Sequence, residues 1–297
     1  MKKTTQESND TSVNLNEAIL VNLKSSSFGN FRKVPIEKLG KGLSKRLRAS
    51  KELVDKSIFE EINSVFAKIR TTVISYSLPF PIDGFYLCPK ASVMKLCEEL
   101  DALIEKVPGI LDNLQETYTE GIEEAKEELG IEFFNQEDYP PNIRDKFKIS
   151  YRLLDLKPSE GVKEFDPKLY KEEENKFKNM MEETRNECIT FLRQGFLQVL
   201  QSVTDSVTNK QRIRQDSVDK IEKFFNEFNT KNIFQDKQLE NVLKEARNVM
   251  FGVSAEDIRN SEALKEKIQK EIKTVTESLQ EVMEIKPRKI TLKKIKK

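Results

Sequence analysis

Asp166-Pro167 opens a stretch that keeps helical spacing to about Val207, with no later proline and no glycine before Gly195. Asp at the N-cap followed by Pro at the first helical position is a start signal, because the amide that proline lacks is one a helix leaves unpaired anyway. A helix of that length dictates a mainly α fold arranged around it. Its first half carries Glu172, Glu173, Glu174, Glu182 and Glu183 among lysines and reads as a solvated face. Phe191, Leu192, Phe196, Val199, Leu200 and Val203 form a core stripe in the second half.

Three further helical patterns follow. Val218, Ile221, Phe224, Phe225 and Phe228 mark a short helix, and a second runs from about Asp236 to Phe251. From Ser261 to Met283, the residues Leu264, Ile268, Ile272, Val275, Leu279 and Val282 recur at steps of 4, 4, 3, 4 and 3. That is a heptad seam, which either closes the chain's own bundle or zips against a second copy. At little more than three heptads the intramolecular arrangement is the expected one, with the seam beside the long helix.

Ahead of Asp166 the pattern is more mixed. Leu15 to Phe31 contains AILVNLKSSSF and reads as a short strand or extended arm docked on the helices. Ser50 stands as an N-cap before Leu53, Ile58, Ile62, Val65, Phe66, Ile69 and Val73, an amphipathic helix that ends near Ser77. Prolines 79, 81 and 89 with Asp83-Gly84 then predict a turn or small hairpin. A second helical pattern runs from Lys90 to Leu129, broken at Pro108-Gly109 and capped by Gly130. Only a dozen or so residues separate these two patterns, which predicts an antiparallel helical hairpin. Tyr139-Pro140-Pro141 opens a less regular region to Phe165, in which FKISYRLLDL is open between strand and helix end. The expected organisation is a disordered N-terminus over 1–12, an extended element with the hairpin over 13–165, a helical bundle over 166–285 and a basic tail over 286–297. The expected fold class is mainly α: an elongated antiparallel hairpin or coiled-coil bundle with a small extended or β element near the N-terminus.

Composition excludes much chemistry. With no histidine and no tryptophan, the commonest general base and metal ligand are missing. The 18 phenylalanines build a core from rings that need no hydrogen-bond partner. Cys88, Cys97 and Cys188 show no CxxC spacing, and Cys97 lies on the apolar stripe of Val93, Leu96, Leu100, Leu103 and Ile104. Gly40-Lys41-Gly42-Leu43-Ser44-Lys45 lacks the phosphate-loop spacing, and no strand runs into it. Glu123 and Glu127 lie one helical turn apart, as solvated charges commonly do. No nucleophile, base and orienting group assemble, so neither an enzyme nor a cofactor is expected. No apolar run spans a bilayer, and Met1 to Ser12 lacks a signal peptide's apolar core, so a cytoplasmic location without membrane contact is expected.

Charge is balanced overall, 51 basic against 50 acidic residues, but unevenly placed. The end reads KPRKITLKKIKK, whose Lys286, Arg288, Lys289, Lys293, Lys294, Lys296 and Lys297 meet no acid, which leaves the body net acidic. A second basic stretch carries Arg32, Lys33, Lys38, Lys41, Lys45, Arg46, Arg48 and Lys51 against the single acid Glu37. Either stretch suits phosphate or an acidic protein surface. A Lys-rich end binds nucleic acid by counterion release, although no aromatic interleaves with the tail to stack on bases.

The run FFNEFNTKNIFQDKQLENVLKEARNVMFGVSAEDIRNSEALKEKIQKEI, together with LVNLKSSSFGNFRKV and LPFPIDGFYLCP, resembles an uncharacterised helical family of phages, plasmids and bacteria, over Val13 to Met283. Within it, Gly252 to Arg259 reads as a Gly that ends one helix and a Ser-x-Glu start to the next. Members often accompany a MoxR-type AAA+ ATPase and a von Willebrand A-domain protein. The resemblance therefore implies a partner in an ATPase-driven module, and it carries no catalytic residues. The expected function is a non-enzymatic adaptor or scaffold, which acts in a host cytoplasm if it is phage-encoded. The alternatives are a nucleic-acid-binding protein using the two basic stretches, and a homo-oligomer formed through the seam.

Overall fold

The computed structural model describes residues 17–40, 42–44, 46–157, 160–208, 215–250 and 252–284. Lys41, Lys45, the expected disordered 1–12 and the basic tail from Lys286 lie outside them. The protein is mainly helical, with a small antiparallel sheet near the N-terminus. Strands β1 (Ala18–Ser26), β4 (Leu78–Pro79), β5 (Phe85–Pro89) and β6 (Lys148–Leu154) form one sheet in the order β4-β5-β1-β6. Strands β2 (Phe31–Val34) and β3 (Ala49–Glu52) form a separate two-stranded ribbon.

β1 is the organising strand. Its apolar residues do not alternate with polar ones, because both of its faces are covered. Ala18 and Leu20 point into one hydrophobic cluster and Val21 and Leu23 into another. The expected arm docked on helices is thus a central strand with helices on both sides. The proposed hairpin is present as β4 and β5, with Gly84 at φ +77. A side chain there would crowd the Leu23 carbonyl at 3.3 Å, and that region of φ favours glycine. FKISYRLLDL resolves as β6, paired along β1 from Leu20↔Leu154 to Ser26↔Lys148.

One cluster gathers α1 (Glu60–Tyr76), α2 (Lys90–Ile104) and α3 (Val107–Phe133). Tyr76 at the end of α1 hydrogen-bonds Glu99 of α2, while Ile58, just before α1, approaches Gly121 of α3. The contacts run in opposite chain order, so α1 lies antiparallel to the α2–α3 pair. Two boundaries differ from the sequence reading and one agrees. Ser50 caps no helix: it lies in β3, and α1 begins at Glu60 after a turn whose Asp55 carboxylate accepts from the Ser57 amide at 2.7 Å. The break between α2 and α3 falls at Glu105-Lys106, so Pro108 sits in the first turn of α3, where its missing amide costs nothing. Gly130, at φ +59 and ψ 180, leaves the helical region, so the regular part of α3 stops there as the sequence indicates and Ile131 to Phe133 continue beyond a kink.

The other cluster gathers α4 (Pro167–Thr208), α5 (Gln215–Lys231), α6 (Lys237–Met250), α7 (Ala255–Asn260) and α8 (Glu262–Glu284) with the opposite face of the sheet. Asp166 caps α4 as its sequence indicates, accepting from the amides of Lys168 and Leu169 at 2.9 and 3.1 Å. Ser254 and Asp257 form a reciprocal capping box at α7. The seam of α8 faces inward against α4 and α6: Ile268, Ile272, Val275 and Leu279 are buried, with Leu264 and Val282 half-buried beside them.

One polar clamp lies among these helices. Arg193 of α4 binds Asp236 through two bonds, Nε to Oδ2 at 2.7 Å and Nη2 to Oδ1 at 2.9 Å. Its Nη1 donates to the Val282 carbonyl of α8 at 2.7 Å, and Asp236 also caps α6 through the Leu239 amide. Burying two charges is costly, and the forked geometry with every partner satisfied is what offsets that cost.

Candidate partner-binding surface

The β2–β3 ribbon is shaped by the alternation of its strands. Arg32 and Lys51 are cross-strand partners on one face, and Phe31, Lys33, Ser50 and Glu52 lie on the exposed positions between. The inward face is anchored by charge. Lys51 Nζ lies 2.7 Å from Asp138 and donates to the Phe133 carbonyl, and Lys38 donates to the Glu132 carbonyl at 2.7 Å. Two lysines thus satisfy carbonyls at the end of α3, where cations are favoured. Asn30 secures the base by accepting from the Val54 amide and donating to the Val54 carbonyl.

Arg32, expected to contact a partner, is turned inward instead. Its guanidinium lies 5.4 Å from the Phe28 ring centroid, donates to the Gly29 carbonyl at 2.6 Å and approaches Asp138 at 3.7 Å. Lys33, Arg46 and Arg48 are exposed. Lys41 and Lys45, with the tail residues from Lys286, lie outside the described residues. Lys33 of β2, with Arg46 and Arg48 of the β2–β3 connection, thus remains at the surface, and part of the basic stretch is structural.

Spacing and charge did not single out the apolar residues among these cations. Leu39, Leu43 and Leu47 are 49%, 43% and 49% exposed, and Phe31 is 61% exposed. Three leucines four residues apart suggest a helix face. Among its described residues the connection is not helical: Gly42 holds φ +83, and only Ile36–Lys38 forms a 3-10 turn. The signal was the repeated leucine within LGKGLSKRLRAS. Beside the ribbon's base is a cavity of about 790 Å³ whose lining includes Arg32, Lys146, Glu137 and Asp138, a balanced set with no preference for one sign of charge.

Nucleophilic chemistry finds no foothold in the described cysteines of the core. Burial pushes the Cys88 thiol up to about 11 and the Cys188 thiol to about 12, so both stay protonated near neutrality. Among the described residues no group of three or more Cys, Asp or Glu side chains is placed to hold a metal ion, and no helix is long and apolar enough to cross a membrane.

The fold and surface define a class: a helical protein with a small antiparallel sheet between two hydrophobic clusters and an outlying ribbon whose connection carries exposed leucines and cations. No protein-family model, curated protein or solved structure matches the chain.

Proposed function

We propose that the protein is a non-enzymatic adaptor that binds a protein partner through the β2–β3 ribbon, with its helices serving as an elongated coiled-coil support. The observation that carries this reading is the exposure of Leu39, Leu43, Leu47 and Phe31 beside Lys33, Arg46 and Arg48. A solvated basic loop that binds only phosphate needs no leucines. A protein surface with an apolar centre and an acidic rim uses both. The resemblance described above makes a MoxR-type AAA+ ATPase the first partner to examine. Nucleic acid is the rival ligand, favoured by the same cations. Oligomerisation through the α8 seam is the weaker alternative, since it requires opening the core that holds Ile268 and Val275.

The test is affinity purification of the tagged protein from cells that encode it, at moderate and high salt and with nuclease, beside a Leu39→Ser/Leu43→Ser/Leu47→Ser variant. A partner protein retained through nuclease and high salt by the wild type, and lost by the variant, supports the adaptor. Recovery of nucleic acid alone, sensitive to salt and indifferent to the leucines, overturns it.

A further inference from the structure

The sheet has two edges of different character. β4 is only two residues long and packs against α4, so it offers little to a neighbour. β6 is seven residues long and, among the described residues, pairs only with β1. Among the described residues no other backbone group hydrogen-bonds its outer side. A strand of that length with a free edge is a template for a further strand.

The side chains along this edge indicate what would add to it. Register places Tyr151 opposite Leu23 and Ile149 opposite Ser25, on the face packed against the α1–α3 cluster. On the opposite face, Lys148, Ser150 and Arg152 alternate along β6, and Lys24 lies across from Ser150. Lys24, Lys148 and Arg152 are exposed, and no ion pair or side-chain hydrogen bond engages them among the described residues. At the C-terminal end of the strand Leu153 and Leu154 are 40% and 41% exposed, one on each face. The edge thus combines open main-chain groups, three uncompensated cations on one face and two apolar side chains at its end.

The geometry points to β6 as an acceptor for an extended acidic segment of a partner protein, which adds as a fifth strand with carboxylates over Lys24, Lys148 and Arg152 and apolar residues beside Leu153 and Leu154. Main-chain pairing supplies affinity and the alternating side chains supply selectivity, the mode of β-strand addition. The surface is separate in sequence from the β2–β3 ribbon, and the inference does not depend on the ribbon's role.

Lysine and arginine on an edge also keep sheets from pairing with copies of themselves. The experiment therefore separates acceptance from mere protection. The probe is a fluorescent seven-residue peptide of alternating Glu and Val, matching β6 in length. It is titrated against the full chain by anisotropy, alongside versions N-methylated at alternate residues in each of the two phases. Hydrogen exchange of the Ile149–Leu154 amides is followed in parallel. The expected result is saturable binding with slowed exchange in β6, lost on N-methylation in one phase and retained in the other. Lys148→Glu/Arg152→Glu weakens binding about tenfold, and the triple-leucine ribbon variant binds normally. Three results overturn the proposal: no binding, binding indifferent to both N-methylation phases, or a Lys148→Ser/Arg152→Ser variant that self-associates while binding the peptide as before.

Discussion

Helices α4 to α8 bury or half-bury nearly all their described large apolar side chains, whereas the chain ahead of α4 displays many of its own. Phe31, Leu39, Leu43, Leu47, Ile74, Ile82, Met94, Ile131, Leu153, Leu154 and Phe165 are exposed there, against Phe191 alone among the described residues from α4 onward. The polar interiors differ as well. Among the described residues the later helices share the buried ion pair of Arg193 with Asp236, while the earlier region combines the partly buried Lys51–Asp138 pair with neutral bonds such as Tyr139 Oη to the Leu53 carbonyl at 2.9 Å. The contrast is what the proposed function rests on: the helical cluster leaves little apolar surface over, while the region of sheet and ribbon keeps apolar side chains that the proposal assigns to a partner. A side chain left exposed at no structural benefit is available to a partner.

The sharpest way to break this contrast is Ile268→Asp, which puts an unpaired charge where the side chain is only 1% exposed. It should cost more than about 4 kcal/mol and unfold the helical cluster. Urea denaturation with sizing checks this, and a folded protein that merely loses oligomeric mass would place the seam between copies. Asp236→Ala should cost about 3–5 kcal/mol, because it strands the Arg193 guanidinium and uncaps α6. The same assay reads it, and a loss under about 1 kcal/mol would remove the clamp from the account.

Within the earlier region, two tyrosines should respond with opposite signs. Tyr139→Phe deletes a buried hydrogen bond and should cost about 1 kcal/mol. Tyr118→Phe should be neutral or stabilising, because among the described residues the fully buried Tyr118 hydroxyl has no hydrogen-bond partner. Equal losses for both would mean that Tyr118 has an unrecognised partner. Burial also pushes the Tyr118 phenol from 10.0 up to about 12. A raised value means that stability is intact below the ordinary 10.0 and falls as pH climbs toward about 12, since the unfolded chain ionises first. Tyr118→Phe should therefore shallow the alkaline limb of a stability–pH curve, and an unchanged limb would assign that limb to other groups. Smallest of all, the triple Leu39, Leu43 and Leu47 to Ser variant should shift stability by no more than about 0.5 kcal/mol, as expected of exposed positions. A larger loss would show that the leucines support the fold.

The same contrast governs how much was legible in the sequence. In the later helices, local rules sufficed: Asp166-Pro167 marks the start of α4, and the seam from Leu264 to Val282 packs against α4. Arg193 escaped notice because its partner Asp236 is 43 residues away and belongs to a helix start, not to a recognisable motif. In the earlier region the decisive contacts are non-local. Ser50 satisfies the local pattern of an N-cap, yet pairing with Lys33 makes it part of a strand, a tertiary override of local preference. β1 carries no alternation that would reveal a strand covered on both faces. Arg32 and Lys51 read as solvated cations until the Asp138 turn is brought beside them. Exposure of the leucines depends on a connection whose glycine geometry prevents a helix, which composition alone does not disclose.

The most direct test of the division between a stabilising cluster and a recognising region is site-specific photo-crosslinking in cells that encode the protein. A photoreactive residue is placed in turn at Leu39, Leu43 and Leu47, and at Lys273 and Glu277 on the outer side of α8. The account predicts that one defined protein crosslinks from the ribbon positions and not from α8. Equal crosslinking from both, or a product found only from α8, would contradict it.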